Sequence, residues 1–526
     1  DEQFKSPKHP DYLETDKLKQ GSFSASTSEA FSYNGDLNIA FGKLFVEKHQ
    51  VNVVGGWSFS ENKNKRDGYS VVGFNDDLHM NPAFSTGFTD GQKPNYSLER
   101  SRSTSFFMNV NYSFMNRYLM DFNVRSDGTS KFGANKRFST TWSVGLAWNI
   151  HNEEFMKSLG LFTNFKIRAS VGNPGNQNFD AYQAMKIYKY NVELQNMFGS
   201  SAIIDQFGNK DLDWQRTLDK NIGVDISMLR NRIRVTLDYY YKDTDPLLIS
   251  VPMPPSVGVG SINANAGRQL SWGWNGSIFG TVIQKQDMSW TLNMNFRTSK
   301  SEYRDIGDKL NEFNELGSAQ SLVRYYEGAS PDDMWAVPSL GIDPATGAEM
   351  FRKKDGSQTF IYSTADEVVV GCSRPDVEGV IGSSFYYKGF SASVNFRYRL
   401  GGEVMASALY SKVENISEEQ IYYNQDKRAL HDRWKQPGDK AKFKSIKDTS
   451  PTPMSSRFVR TENTFSGESI SMGYESSAAW IKKIGAEGVT FRAYMNDIFR
   501  VSSFKEERGT DYPFARTVSF SLSLRF

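Results

Sequence analysis

The chain has 526 residues, and its 62 Lys and Arg against 60 Asp and Glu leave a formal charge of +2, too small for a chain-wide field that would draw nucleic acid. Its single cysteine, Cys372, excludes an intramolecular disulfide and any multi-cysteine metal site. Only 38% of residues are hydrophobic while 14% are aromatic, and no apolar run reaches the roughly 18 residues of a helical membrane span, a mixture that suits many long strands with one apolar and one wet face.

Residues 1–16 are polar and carry no signal-peptide hydrophobic region. Leu37, Ile39 and Phe41 open the first alternating run, and after a polar break Val51, Val53, Trp57 and Phe59 form the second. Both have the roughly ten-residue width of a membrane-crossing strand. A polar segment at 62–100 reads as a long loop. Residues 105–150 then state the rule most plainly. Phe106, Met108, Val110, Tyr112 and Phe114 alternate with polar residues, Met115-Asn116-Arg117 turns the chain, and Tyr118, Met120, Phe122 and Val124 resume the alternation. Side chains of a strand point to opposite faces with period two, so each run has one apolar and one mostly polar face. A polar loop at 126–137 leads into Trp142, Val144, Leu146, Trp148 and Ile150.

The same rhythm continues through Phe165, Ile167, Ala169 and Val171, with charged Lys166 and Arg168 on the opposite face. A long loop at 173–215 precedes Ile222, Val224 and Ile226, which turn through Arg230-Asn231-Arg232 into Ile233, Val235, Leu237, Tyr239 and Tyr241. Trp272, Trp274 and Ile278 lead into Trp290, Leu292, Met294 and Phe296. The longest interruption, 300–378, contains turn signals such as Asp343-Pro344-Ala345-Thr346-Gly347 and Asp355-Gly356. Strands resume near Ser384, a second large insertion spans 411–462, and its stretch 417–434, without Gly or Pro, predicts one or two surface helices. Runs at 469–480, 489–495 and 518–526 close the sequence.

About fifteen strands result, with short and long connections alternating. A soluble sandwich or propeller does not explain that alternation. An antiparallel transmembrane β-barrel does: tight turns face the periplasm, long loops face outside, the outward face meets lipid and the lumen is polar. The alternating terminal strand ending in Phe526 resembles the sorting signal of bacterial outer-membrane barrels. It puts the C-terminus at the periplasmic side, and counting back places residues 1–21 outside, as the remnant of an external loop. An odd strand count cannot close an even barrel, so 22–526 is expected to be a barrel portion completed by another fragment.

Several segments, taken in order and spacing, resemble the C-terminal barrel portion of SusC/RagA-like TonB-dependent transporters. They include Gly172 to Asn178, Leu212-Asp213-Trp214-Gln215-Arg216-Thr217, Arg232 to Tyr241 with Leu247-Leu248, and Gly341 to Gly347. Tyr387-Lys388-Gly389-Phe390, Arg457-Phe458-Val459 and Asn496-Asp497-Ile498-Phe499 extend the match. The resemblance implies a barrel of about twenty-two strands in the bacterial outer membrane, closed by an N-terminal plug and capped by a SusD-like lid lipoprotein. It further implies active import of oligosaccharides or peptides driven through TonB. The plug, the TonB box and about seven strands by subtraction lie outside this sequence, so the partners expected are that N-terminal fragment, the lipoprotein, TonB and outer-membrane lipid. The alternatives are a structural or surface-complex barrel without transport, and a ligand-gated open porin.

The residues point away from enzyme chemistry. His9, His49, His79, His151 and His431 are isolated, with no metal spacing, and no G-x-S-x-G, H-E-x-x-H or P-loop motif occurs. No cofactor is expected. Asp343 to Gly347 and Asp355-Gly356 lack the ligand periodicity of a calcium loop and read as turns. Tyr325, Tyr326 and Trp335, in the largest insertion, offer flat faces for stacking on sugar rings or peptide side chains, with packing inside the loop as the plainer role. Asp121, Arg125, Arg168, Arg234 and Asp238 fall on polar faces and are candidates for the lumen lining, or for ordinary hydrogen bonding among lumen residues.

Overall fold

Alternating runs become long strands wherever one face has lipid to meet, and the fold is built almost wholly from them. A computed structural model describes residues 1–526 apart from 13–14, 76, 78–80, 89–92, 132–136, 177–185, 198, 209–214, 254, 266, 311–313, 316–320, 423, 479–480, 482, 484 and 505–514. His79, Gln177, Asn178, Leu212, Asp213, Trp214 and Trp480, singled out in the sequence, lie outside the described residues.

Among the described residues nineteen strand segments join in one antiparallel sheet; four are short flanking pieces, and the other fifteen form an up-and-down meander. These are β1 (Ser22–Phe45), β2 (His49–Val72), β3 (Asn95–Phe114), β4 (Tyr118–Thr129) and β5 (Phe138–Asn149). Next come β6 (Phe162–Asn173), β7 (Gln215–Met228), β8 (Ile233–Thr244), β9 (Arg268–Lys285) and β10 (Met288–Arg297). The last are β11 (Val377–Tyr387), β12 (Phe390–Leu400), β13 (Thr464–Ser476), β14 (Gly488–Ser502) and β15 (Val518–Arg525). Each pairs with its chain neighbour. Among the described residues, the strand pairing on the free side of β1 is with Glu2–Lys5, at its outer end, extended by Asp1 on Ser26. The sheet is therefore an open barrel wall.

The tight turns gather at one end. Met115 and Asn116 both have positive φ, 52° and 57°, as do Lys388 and Gly389 at 45° and 87°. Consecutive left-handed residues match the twist of the flanking strands, so they join them without splaying. At the same end Glu153 accepts hydrogen bonds from the Trp148 indole at 3.0 Å, the Tyr118 hydroxyl at 2.9 Å and Arg117 Nη1 at 3.0 Å. That cluster fastens two girdle aromatics to the periplasmic rim.

One face of the sheet is an exposed apolar belt. Ile39, Leu146, Ile222 and Phe520 show 72%, 57%, 55% and 69% of their surface. In water a surface of this extent would drive association; against acyl chains it is the solvated face. The opposite face is polar: Asn109 bonds Asn123, which reaches Ser143 at 3.2 Å, and Asn395 reaches Ser469 at 3.0 Å.

Two expectations need correction. The segment 62–100, read as loop, is strand up to Val72 and again from Asn95. β1 and β2 are 24 residues each, more than twice what a tilted strand needs to cross lipid; their outer halves stand in water, where neither face must be apolar and the alternation fades. The surface helices expected at 417–434 are only short helical turns, Glu419–Tyr422 and Arg428–His431, and Ala429 and Arg433 within or beside them are buried. Packing, not helix propensity, fixes that stretch.

Candidate transport lumen and outer vestibule

The polar faces of β4 to β10 enclose a recess of about 870 Å³ in the lumen wall, lined among others by Asn123, Arg125, Arg168, Asn221, Lys242 and Arg374. Alternation places the strand residues there, because each strand turns its apolar residues to the belt, while Arg374 reaches in from the connection 298–376. Arg125 Nε bonds Asp127 at 2.7 Å and its Nη2 bonds Ser105 at 2.8 Å. Arg168 is shared by two carboxylates, Asp225 at 3.0 Å and Asp238 at 2.7 Å, drawn from β7 and β8. Gly223 lies between them, and a Cβ there would collide with Asp238 and with the Arg168 guanidinium. A residue without a side chain leaves the gap the ion pair crosses.

Of the five residues expected on the lumen, Arg125 and Arg168 thus line the recess and Asp238 anchors Arg168. Asp121 and Arg234 sit nearer the tight-turn end: Asp121 opposes Gly145 across β4 and β5, and the Arg234 guanidinium lies 4.1 Å from the Phe279 ring centroid.

The recess opens toward the two largest connections, 298–376 and 401–463, which pack into one body. Val413, Ala429, Phe443 and Phe458 form one buried cluster; Leu322, Ala336 and Val459 form another that draws on both connections. Buried charges here are ion-paired or hydrogen-bonded to the backbone. Arg324 and Glu367, 1% and 3% exposed, make a bidentate pair at 2.8 and 2.7 Å. Arg457 reaches Glu349 at 2.8 Å and Glu414 at 2.7 Å. Arg433 donates to the carbonyls of Lys444, Val413 and Glu414, and burial pulls its guanidinium below the ordinary value. The Asp343 to Gly347 turn docks on the second connection: the Trp434 indole donates to the Pro344 carbonyl at 2.9 Å, and Gly438 N donates to it at 2.8 Å.

A hydrogen-bonded chain joins the lumen to this body. The Tyr240 hydroxyl donates to Ser299 at 2.8 Å, Arg374 Nη1 donates to Ser299 at 2.6 Å, and Arg374 Nε donates to Asp332 at 2.6 Å. These four residues were not singled out in the sequence. Ser299, Arg374 and Asp332 sit in the long connection, where no periodicity marks them, and Tyr240 lies within β8 on the face opposite Tyr239 and Tyr241; the only cue was the charge of Arg374 before Pro375.

Tyr325, Tyr326 and Trp335 lie in the vestibule. Tyr325 packs on the cluster of Leu247, Ile249, Tyr303, Ile306 and Leu310, its backbone clipped at both ends by Asn314. Tyr326 and Trp335 form a ring pair with centroids 4.6 Å apart. Burial pushes the phenols of Tyr325 and Tyr326 up, and that of Tyr362, beside Glu367, up to about 12. Among the described residues no three His, Cys, Asp or Glu side chains gather as a metal site.

Residues 5–343 match the family described as TonB dependent receptor-like, beta-barrel. A TonB-dependent receptor of Formosa agariphila is 25% identical over 521 residues, covering 88% of this chain and 49% of its own length. The TonB-dependent receptor SusC of Bacteroides thetaiotaomicron is 27% identical over 463 residues, covering 81% and 44%. The chain thus spans about half the length of these relatives. Among solved structures, that of the RagAB peptide transporter superposes with a TM-score of 0.80 at 21% identity, over 92% of this chain and 53% of that one. This last likeness speaks to the fold.

Proposed function

Because the chain belongs to the TonB-dependent receptor-like β-barrel family, SusC/RagA-like in kind and at home in the bacterial outer membrane, we propose that it supplies the lumen wall and outer vestibule of an active importer. That family is one of transporters and receptors, not of enzymes. The cargo is an oligosaccharide or a peptide, captured in the vestibule beneath a SusD-like lipoprotein. It is admitted when TonB remodels a plug carried on the N-terminal part of the transporter.

The observation that carries this reading is the continuity of the polar recess with the vestibule through Tyr240, Ser299, Arg374 and Asp332. A barrel that served only as a scaffold would need no such path. Paired ions and amides along it offer many moderate hydrogen bonds and no deep charge trap, which suits a solute that must bind and then leave. Tyr326 and Trp335 supply the aromatic faces for a sugar ring or an apolar side chain; Tyr325 packs instead into the loop core around Tyr303.

The test is uptake of labelled oligosaccharide and peptide pools by cells that express the complete transporter, with Arg374→Ala and the Tyr326→Ala/Trp335→Ala pair as variants. Reduced uptake with normal surface levels supports the path. Uptake unaltered by all three substitutions removes it.

A further inference from the structure

We propose that the outward face of β7 to β9, with the short flanking strand Lys300–Arg304 that pairs with β9, holds a site for the phosphate groups of an outer-leaflet glycolipid. Strand register sets four side chains in one row: Lys220 pairs with Tyr241, Tyr241 with Trp272, and Trp272 with Lys300. Three inter-strand steps separate the two lysines, roughly 14 Å along the row. The row faces away from the lumen, since its alternate neighbours Asp219, Asn221, Tyr240, Lys242 and Ser271 line the recess.

Its depth follows from the rows beside it. One step toward the tight-turn end lie Ile222, Tyr239 and Trp274, with Ile222 and Trp274 55% and 45% exposed on the apolar belt. One step toward the long loops, Leu218 pairs with Asp243, Asp243 with Leu270, and Leu270 with Glu302. The row thus sits where acyl chains give way to head groups on the outer side. Aromatic rings with their polar edges suit that boundary.

The charges at this level are arranged unequally. Asp243 is held by Arg268, and Glu302 by Arg304 at 2.7 Å. Farther round the rim, Arg100 and Arg102 share Glu61. Lys220 and Lys300 are both exposed, and among the described residues neither has a carboxylate within ion-pair distance; the Lys220 ammonium instead lies 5.7 Å from the Tyr241 ring centroid. Two ammonium groups flanking a tyrosine and a tryptophan offer two phosphate contacts with flat surfaces between them for sugar and acyl-chain packing. Because this face meets lipid, it is formed by this chain's own strands, and its occupant does not depend on whether the transporter moves solute.

The experiment uses the complete transporter purified in mild detergent, exposed to rough lipopolysaccharide or to the same lipid after dephosphorylation, with retained glycolipid counted by native mass spectrometry. Wild type and a Lys48→Gln control at the tight-turn end should retain the phosphorylated lipid. Lys220→Gln/Lys300→Gln should retain roughly tenfold less, and the dephosphorylated lipid should be lost from all three. Equal retention by the double variant, or equal retention of the dephosphorylated lipid, overturns the proposal, since lysines that only anchor the barrel would not read phosphate. Should the double variant fail a heat-shift test of barrel folding, wild-type retention across a salt series decides: it must fall as salt rises, and indifference to salt overturns the site.

Discussion

Arg457 Nη2 lies 2.7 Å from Glu414 Oε1, and the Glu414 side chain is completely buried. The same guanidinium reaches Glu349 across 108 residues of chain, so one cation joins the hairpin of the first large connection to the core of the second. Removing it would leave two carboxylates in a desolvated site. Arg457→Ala should therefore cost the loop body about 3–5 kcal/mol and leave the barrel intact. Hydrogen exchange should show lost protection around Glu349 and Val413 with the strands unchanged; unaltered protection in both loops would contradict the pairing.

Gly347, at φ 76°, presses on Trp434, and an added Cβ would stand 2.5 Å from the indole Cδ2. Gly347→Ala combines left-handed backbone strain with that collision, a destabilisation of about 1–3 kcal/mol. Protease cleavage within the turn should accelerate, while Asp355-Gly356, in the next turn, stays as resistant as before.

In the lumen wall, Arg168→Gln leaves Asp225 and Asp238 facing each other without their cation. The pair is partly solvated, so the expected loss is modest, about 1–2 kcal/mol, read as a lower temperature for the gel shift of the folded barrel. Asp225→Asn/Asp238→Asn added to that variant should restore most of it. Gly223→Ala should reproduce the defect with every charge retained.

Tyr326 and Trp335, whose rings pack with centroids 4.6 Å apart, are the proposed aromatic contact surface of the vestibule. Alanine at both should weaken solute capture about tenfold, the scale of one lost stacking contact, without altering the barrel's thermal shift. Tyr325→Ala should instead loosen the cluster around Leu310 and Tyr303.

At the periplasmic rim the Trp148 indole, the Tyr118 hydroxyl and the Arg117 guanidinium hold the Glu153 carboxyl below the usual carboxylate range. A depressed acid adds stability above its unfolded-state value, and that contribution disappears as pH falls through the folded value. Wild type should therefore outlast Glu153→Gln in heat-shift assays at neutral pH. The gap should narrow as pH falls below the ordinary glutamate value, about 4.3, and close below the lowered folded one; a gap that widens on acidification would reverse the assigned sign.

Much of the barrel was legible because lipid enforces period two: Phe106 to Val124 announces two strands and their turn by alternation alone. The outer halves of β2 and β3 were not, since Asn62, Lys63, Asn64 and Lys65 stand in water, where no face must be apolar. The vestibule was opaque for a different reason. Arg324 and Glu367 are 43 residues apart, and Val413, Ala429 and Phe458 meet without any shared period, so only the folded loops reveal them as a core. Parity alone puts the lumen candidates Arg168 and Asp238 on one polar face, but their mutual contact depends on Gly223, which gives no signal of its own in a strand.

The most direct test of the account is solute uptake by cells carrying the complete transporter, measured with TonB present and with TonB deleted. Active import predicts accumulation of an oligosaccharide or peptide against its gradient that vanishes when TonB is removed. Uptake that persists unchanged without TonB, or no uptake of either class from a correctly assembled barrel, would contradict it.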